Sequence, residues 1–227
     1  MRPTLPVILS LNAGYVDTAG FLALQGLFTA HVTGNFVTFG AAVALGTTGA
    51  VAKLLALPVF CLVVIGTRSL AYGLEGTGLN PLRAMLVLKL ILLAAGAALA
   101  IRLGPFPDGD AWPAIVTGMV LVSAMAIQNA VHRIHLASAP PTTLMTGTTT
   151  QIMIDLADLL HGVAPDAAGA ARSRLARMSA AVIAFALGCG AAALAFVLVG
   201  EWCFAVPPVI ALISTLLAGA STSKASP

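Results

Sequence analysis

Two short stretches constrain this chain more than any other feature: HVTGNFVTFG at residues 31 to 40 and LMTGTTTQIM at residues 144 to 153. Each places a Thr-Gly step at the head of a helical stretch too brief to cross a bilayer, and the two steps stand 113 positions apart in a chain of 227. Phe36 to Leu45 is ten residues between Gly34-Asn35 and Gly46-Thr47-Thr48, which at about 1.5 Å per residue covers half the hydrocarbon thickness. A half-length helix that recurs at matched places predicts one membrane unit written twice. Paired broken helices of this kind recur in solute pathways through bilayers.

Composition supports lipid as the solvent. Hydrophobic residues make up 59%, charged residues 8%, and mean hydropathy is +1.01, against about 25% charged residues in a soluble domain. A chain of 22.9 kDa leaves no room for an added soluble catalytic domain, so activity belongs among the helices. Cys61, Cys189 and Cys203 lie in apolar runs without ligand spacing, and His31, His132, His135 and His161 form no recognisable set. No HExxH or Gly-x-Ser-x-Gly pattern appears, so the expectation is no enzyme, no metal and no cofactor. The net charge of +3 is scattered at helix ends and reads as a topology signal, not a nucleic-acid footprint. Expected partners are the lipid bilayer and a small solute or ion, with a second copy of the chain as a further candidate.

Hydropathy and punctuation predict an all-α integral membrane protein with six crossings, at about 5–28, 53–74, 82–103, 111–135, 174–199 and 202–220, and two short helices at 35–46 and 147–161. Arg2 before Leu5 to Leu11 imitates a secretory signal, but Asn12, Tyr15 and Asp17 interrupt the run and predict a retained first span. The loop at Gly104 to Gly109 divides the chain into repeats at 1–107 and 108–220, leaving a polar tail at 221–227 that is expected to be disordered. Six crossings place Arg2, Arg83, Arg133, Arg172, Arg174, Arg177 and Lys224 on the cytoplasmic side with both termini, and Lys53 and Arg102 outside. Three crossings per half make the halves inverted copies. Eight full crossings, the alternative, make them parallel copies, and charge bias does not choose between the two.

Polar residues inside such a bundle are the candidates for function. Asp17 lies deep in the first span, where an acid costs about 2.5 to 3.5 kcal/mol on insertion scales, so it needs a partner charge, a set of backbone amides, or a solute or proton. Lys89 and Arg68 are possible partners or snorkelling side chains. Gln128, Asn129 and His132 fall at i, i+1 and i+4 on one helix side, and either line a path or join helices. Thr148, Gln151, Asp155 and Asp158 form a polar stripe whose acid has no first-half counterpart, since Ala42 stands opposite Asp155. Thr33 and Thr146 are expected to cap the short helices, with Gly34 and Gly147 permitting the turn, so that both helix N-termini face the bundle centre. Ala184, Gly188 and Ala192 are spaced for close helix packing.

The segment NAGYVDTAGFLALQGLFTAHVTGN at 12 to 35, with QNA at 128 to 130 and TTLMTGTTTQIMIDL at 142 to 156, resembles the YoaK family of bacterial multi-pass membrane proteins of unknown function. The resemblance covers nearly the whole chain and implies the bacterial cytoplasmic membrane and a fold of several spans, with no assigned substrate. The second motif has Thr148 where the first has Asn35.

Together these readings predict a small-solute transporter or channel with its site between the two half-helices. Asp17 is expected to relay a proton or cation; Thr33, Gly34, Asn35, Thr146 and Gly147 to hold the solute; Gln128, Asn129, Gln151 and Asp155 to line its path. A membrane scaffold or sensor, its polar residues only fastening helices, is the alternative.

Overall fold

A computed structural model describes residues 4–162 and 164–222, and no strand occurs among them. Eight α-helices follow one another: α1 Leu5–Ala23, α2 Asn35–Leu45, α3 Ala50–Leu74, α4 Pro81–Leu103, α5 Trp112–His135, α6 Met145–His161, α7 Pro165–Val199 and α8 Val206–Thr222. Single 3-10 stretches at Val32–Gly34 and Gly200–Ala205 lead into α2 and α8. Arg2, Lys224 and residues 223–227 of the expected tail lie outside the described residues.

Among the described residues, five stretches are long and apolar enough to cross a membrane: α1, α3, α4, α5 and the α7–α8 run Ala167–Gly219. Proline opens α1, α4, α5 and α7 within the first two helical positions, where its missing N–H costs nothing. Pro58 sits inside α3 without ending it.

Several predicted boundaries move. The first helix stops at Ala23, not near residue 28, because Gln25 and Gly26 take left-handed backbone (φ 52° and 83°) and the Gly26 N–H closes on the Phe21 carbonyl. Apolar Leu24, Leu27 and Phe28 therefore belong to a returning loop. The last two spans shift as well. Helix α7 begins at Pro165 and runs 35 residues, about 52 Å, so its arginine-bearing start extends well past a hydrocarbon core of about 30 Å. Helix α8 begins at Val206, because Gly200–Ala205 is 3-10, and it continues through Ser221 and Thr222 of the expected tail.

Loop contacts gather helix ends at two poles. At one pole the Gln25 amide donates to the Phe106 carbonyl at 2.9 Å, Gly49 and Val51 donate to the Asp110 carboxylate at 2.9 and 2.8 Å, and Gly109 donates to the Thr48 hydroxyl at 3.1 Å. The end of α1, the start of α3 and the α4–α5 connection therefore meet there. At the other pole, buried Leu9, Ala71, Met85, Leu86, Ile127, Val131 and Ala218 form one apolar cluster.

The packing is reciprocal. α1 lies on α7 as α3 lies on α5; α5 lies on α4 as α1 lies on α8; α2 leans on α3 as α6 leans on α7; and α4 meets α8. Closest of all is the α1–α7 crossing. A Cβ on Gly14 would stand 2.1 Å from the Phe185 carbonyl oxygen, and one on Gly188 the same distance from that of Leu11, so these glycines are where the two backbones touch. The small-residue spacing of α7 thus marks a contact within the chain.

Candidate functional site

Each half carries a loop that doubles back along its own first helix. In the first half, Asp17 lies six residues before the end of α1, about 9 Å of helix rise. Its Oδ1 accepts the backbone N–H of Thr29 and Ala30 at 2.7 Å each, with the His31 N–H and the Thr29 hydroxyl at 3.4 Å. A buried carboxylate is tolerable when several donors satisfy it. Capturing those donors draws residues 27–31 back beside α1. Asn35, at the start of α2, closes the same loop: its side chain accepts from the Phe28 N–H at 2.9 Å and donates to the Phe28 carbonyl at 2.8 Å.

The second half achieves a similar return with two side-chain amides and a histidine ring. The Gln128 amide donates to the Thr142 hydroxyl at 3.1 Å and to the Leu9 carbonyl at 2.9 Å, Asn129 accepts from the Thr143 hydroxyl at 2.7 Å, and the His132 Nε2 lies 3.1 Å from the Ala139 carbonyl. The completely buried Lys89 side-chain nitrogen donates to Gln128 Oε1. Lys89 thus does not snorkel, and neither it nor Arg68 meets Asp17; Arg68 stacks on Tyr72, 4.1 Å from the ring centre.

The Thr-Gly steps act differently from expectation. Neither Thr33 nor Thr146 caps its helix, and neither α2 nor α6 has a side-chain cap. Gly34 is needed for clearance: a Cβ there would come 2.9 Å from the His31 ring and 3.1 Å from that of Phe28. Gly147 lies exposed in the first turn of α6 with open space around it. The two steps do not converge, because α2 packs on α3 and α6 on α7. A single site between the half-helices is therefore not formed.

Asp155 is bound elsewhere as well. It accepts from the Arg174 guanidinium through both oxygens, at 2.8 Å from Nε, and from the Gln151 amide at 2.8 Å. Arg174 holds the Asp155 carboxyl below the ordinary carboxylate range. The polar stripe Thr148, Gln151 and Asp155 is the seam by which α6 attaches to α7, with Asp158 exposed beyond it.

One cavity brings sequence-predicted residues together. About 640 Å³ in volume, it lies between α1, the returning loop, α2 and α7, and is lined by Asp17, Thr18, Phe21, Phe28, His31, Gly34, Thr38, Phe185 and Cys189 among others. All four contacts to the Asp17 carboxylate fall on Oδ1; Oδ2 has no hydrogen bond among the described residues, and it is the oxygen left for the cavity. The corresponding space in the other half, about 440 Å³, is lined by Phe60, Val64, Arg68, Asn129 and Arg133 with neighbouring apolar groups. Thr18, Phe28, His31, Phe185 and Cys189 were not legible as site residues. Only the density of aromatic side chains in FLALQGLFTAH carried a hint of them. Among the described residues no group of three or more His, Cys, Asp or Glu is placed to hold a metal ion.

A family model described as "Protein of unknown function (DUF1275)" matches residues 5–217. No curated protein and no solved structure matches the chain.

Proposed function

We propose, for a chain that belongs to the DUF1275 family of proteins of unknown function, that it moves a small solute across the bacterial cytoplasmic membrane through a site centred on Asp17. The observation that carries this reading is a 5%-exposed carboxylate, deep in an apolar helix, with one oxygen anchoring a loop and the other available to a cavity. A residue that only fastened the loop would not need a cavity beside it. Intramembrane acids that line cavities mark solute and proton routes.

The architecture in this reading is an inverted repeat of three crossings each: α1, α3 and α4, then α5, α7 and α8, with α2 and α6 as re-entrant arms. Reciprocal packing of the halves supports it, as does the gathering of the α1, α2 and α4 ends at one pole. Charge supports an orientation too. Arg83, Arg133, Arg174 and Arg177 flank the other pole, which holds the start of α1 and the end of α8 and by the positive-inside tendency is cytoplasmic.

A second reading, a non-transporting scaffold or sensor, is favoured by one fact. Asn35, Gln128, Asn129, Gln151 and Asp155 are all engaged in internal hydrogen bonds. Reconstitution separates the two. Transport predicts a solute flux into proteoliposomes that Asp17→Asn abolishes; a scaffold predicts that no flux above empty vesicles is found for any ion or metabolite, while Asp17→Asn lowers only thermal stability.

A further inference from the structure

We infer that the occupant of the Asp17 cavity is a hydrophobic organic cation that enters from the side of the bundle; the inference rests on the proposed site being a binding site. Three phenyl rings, of Phe21, Phe28 and Phe185, share the cavity with the Asp17 carboxylate. The rings of Phe21 and Phe28 stand 4.9 Å apart at 45°. A cation removed from water is attracted both to ring faces and to a carboxylate, and no lysine or arginine lines this space. An anion is repelled there.

Size and ligand chemistry narrow the class. Hard metal ions take six or more oxygens, or keep much of their water, whereas this wall offers one carboxylate, the hydroxyls of Thr18 and Thr38, the His31 ring, the Cys189 thiol and otherwise mostly apolar surface. Among the described residues, Asp17, His31 and Cys189 are not grouped closely enough to hold a metal ion. A bare proton needs no space of about 640 Å³. The rim is apolar and outward: Phe21, Leu22 and Val37 are 38%, 41% and 76% exposed, on helix faces that meet lipid when α1 crosses a bilayer. A charged head on an apolar body, already dissolved in the membrane, fits such an entrance. The other half supplies a contrast, since its smaller cavity carries Arg68 and Arg133 and no acid.

The test is equilibrium binding of tetraphenylphosphonium to the full chain in zwitterionic-lipid nanodiscs, with triphenylphosphine oxide as the uncharged comparison. Expected are saturable binding of one cation per chain, no saturable binding of the oxide, and affinity weakened by more than about tenfold in Asp17→Asn. Phe28→Leu, which keeps the carboxylate, is expected to weaken it by about three- to tenfold and serves where Asp17→Asn does not fold. Equal binding of the oxide, or undiminished cation affinity in both variants, overturns the inference. Saturable cation binding without flux in proteoliposomes overturns the transport reading and leaves this one standing. Flux of another solute that depends on Asp17, with no cation binding, does the reverse.

Discussion

The loops at 24–34 and 136–144 make the same manoeuvre with opposite chemistry. Asp17 binds backbone amides directly, so one charged atom organises Thr29, Ala30 and His31. The second loop is held by Gln128, Asn129 and His132 acting on Thr142, Thr143 and Ala139, one contact apiece. Concentrating the work on a single oxygen leaves the other without a hydrogen bond among the described residues, whereas the second loop spreads the work over two amides and a histidine ring. Two loops of similar course can thus be held by different chemistry, and the Asp17 loop is the one held by a carboxylate. The attached short helices differ in the same sense: Asn35 ties α2 to the Phe28 backbone, and an Arg174–Asp155 ion pair ties α6 to α7.

Substitutions can break this comparison, and their effects should fall in order. Asp17→Ala leaves several buried donors without an acceptor, each costing about 1–3 kcal/mol, and is expected to give the largest drop in thermal midpoint in detergent. Asp17→Asn keeps an acceptor oxygen and is expected to recover much of that loss. Next comes Gln128→Leu, which takes the hydrogen-bond acceptor from the buried Lys89 amine and costs about 1–3 kcal/mol. Lys89→Met together with Gln128→Leu should restore most of it, which a double-mutant cycle would read directly. Smaller again is Asn129→Ala, which removes neutral hydrogen bonds worth about 1 kcal/mol each. If Asn129→Ala proved as damaging as Asp17→Ala, the contrast between concentrated and spread anchoring would be wrong.

Asn12 offers a change of opposite sign. It is fully buried in α1, and both its side-chain nitrogen and oxygen lack a partner among the described residues. Asn12→Leu is expected to raise the midpoint by about 1–3 kcal/mol equivalent, and a fall would reveal a partner the amide serves. The weakest effect concerns pH. Because Arg174 depresses the Asp155 carboxyl in the folded chain, the pair contributes stability above the ordinary carboxylate range, and that contribution is lost as pH falls through the lower folded-state value. Arg174→Gln should flatten this acid limb of the stability profile, as followed by thermal melts across a pH series.

Much of the fold was legible because it depends on apolar run length, which the order of residues along the chain records directly. The six long runs and two short ones appear as helices, and DUF1275 membership bears out the family resemblance. Depth and direction were harder. Leu24 to Phe28 continues the hydropathy of α1, and nothing in apolarity reveals that Gln25-Gly26 reverses the chain. Asp17 was legible as a costly residue, and a cap on freed backbone amides was among its readings. Its partners were not, because they follow by 12 to 14 residues across that unseen reversal. Thr33-Gly34 and Thr146-Gly147 looked equivalent as letters yet meet different surroundings, crowded rings in one case and open space in the other. Clearance around a glycine is a property of neighbours distant in sequence or folded back onto it.

Carbodiimide labelling tests the central claim most directly, since dicyclohexylcarbodiimide partitions into apolar surroundings and modifies carboxyls it can reach there. Intact-mass analysis of the full chain in membranes should show a single adduct that maps to Asp17, disappears in Asp17→Asn, and is slowed by a bound organic cation. An unlabelled Asp17, with adducts only on Asp155 or on loop acids, would contradict a carboxylate that holds a loop with one oxygen and offers the other to a cavity.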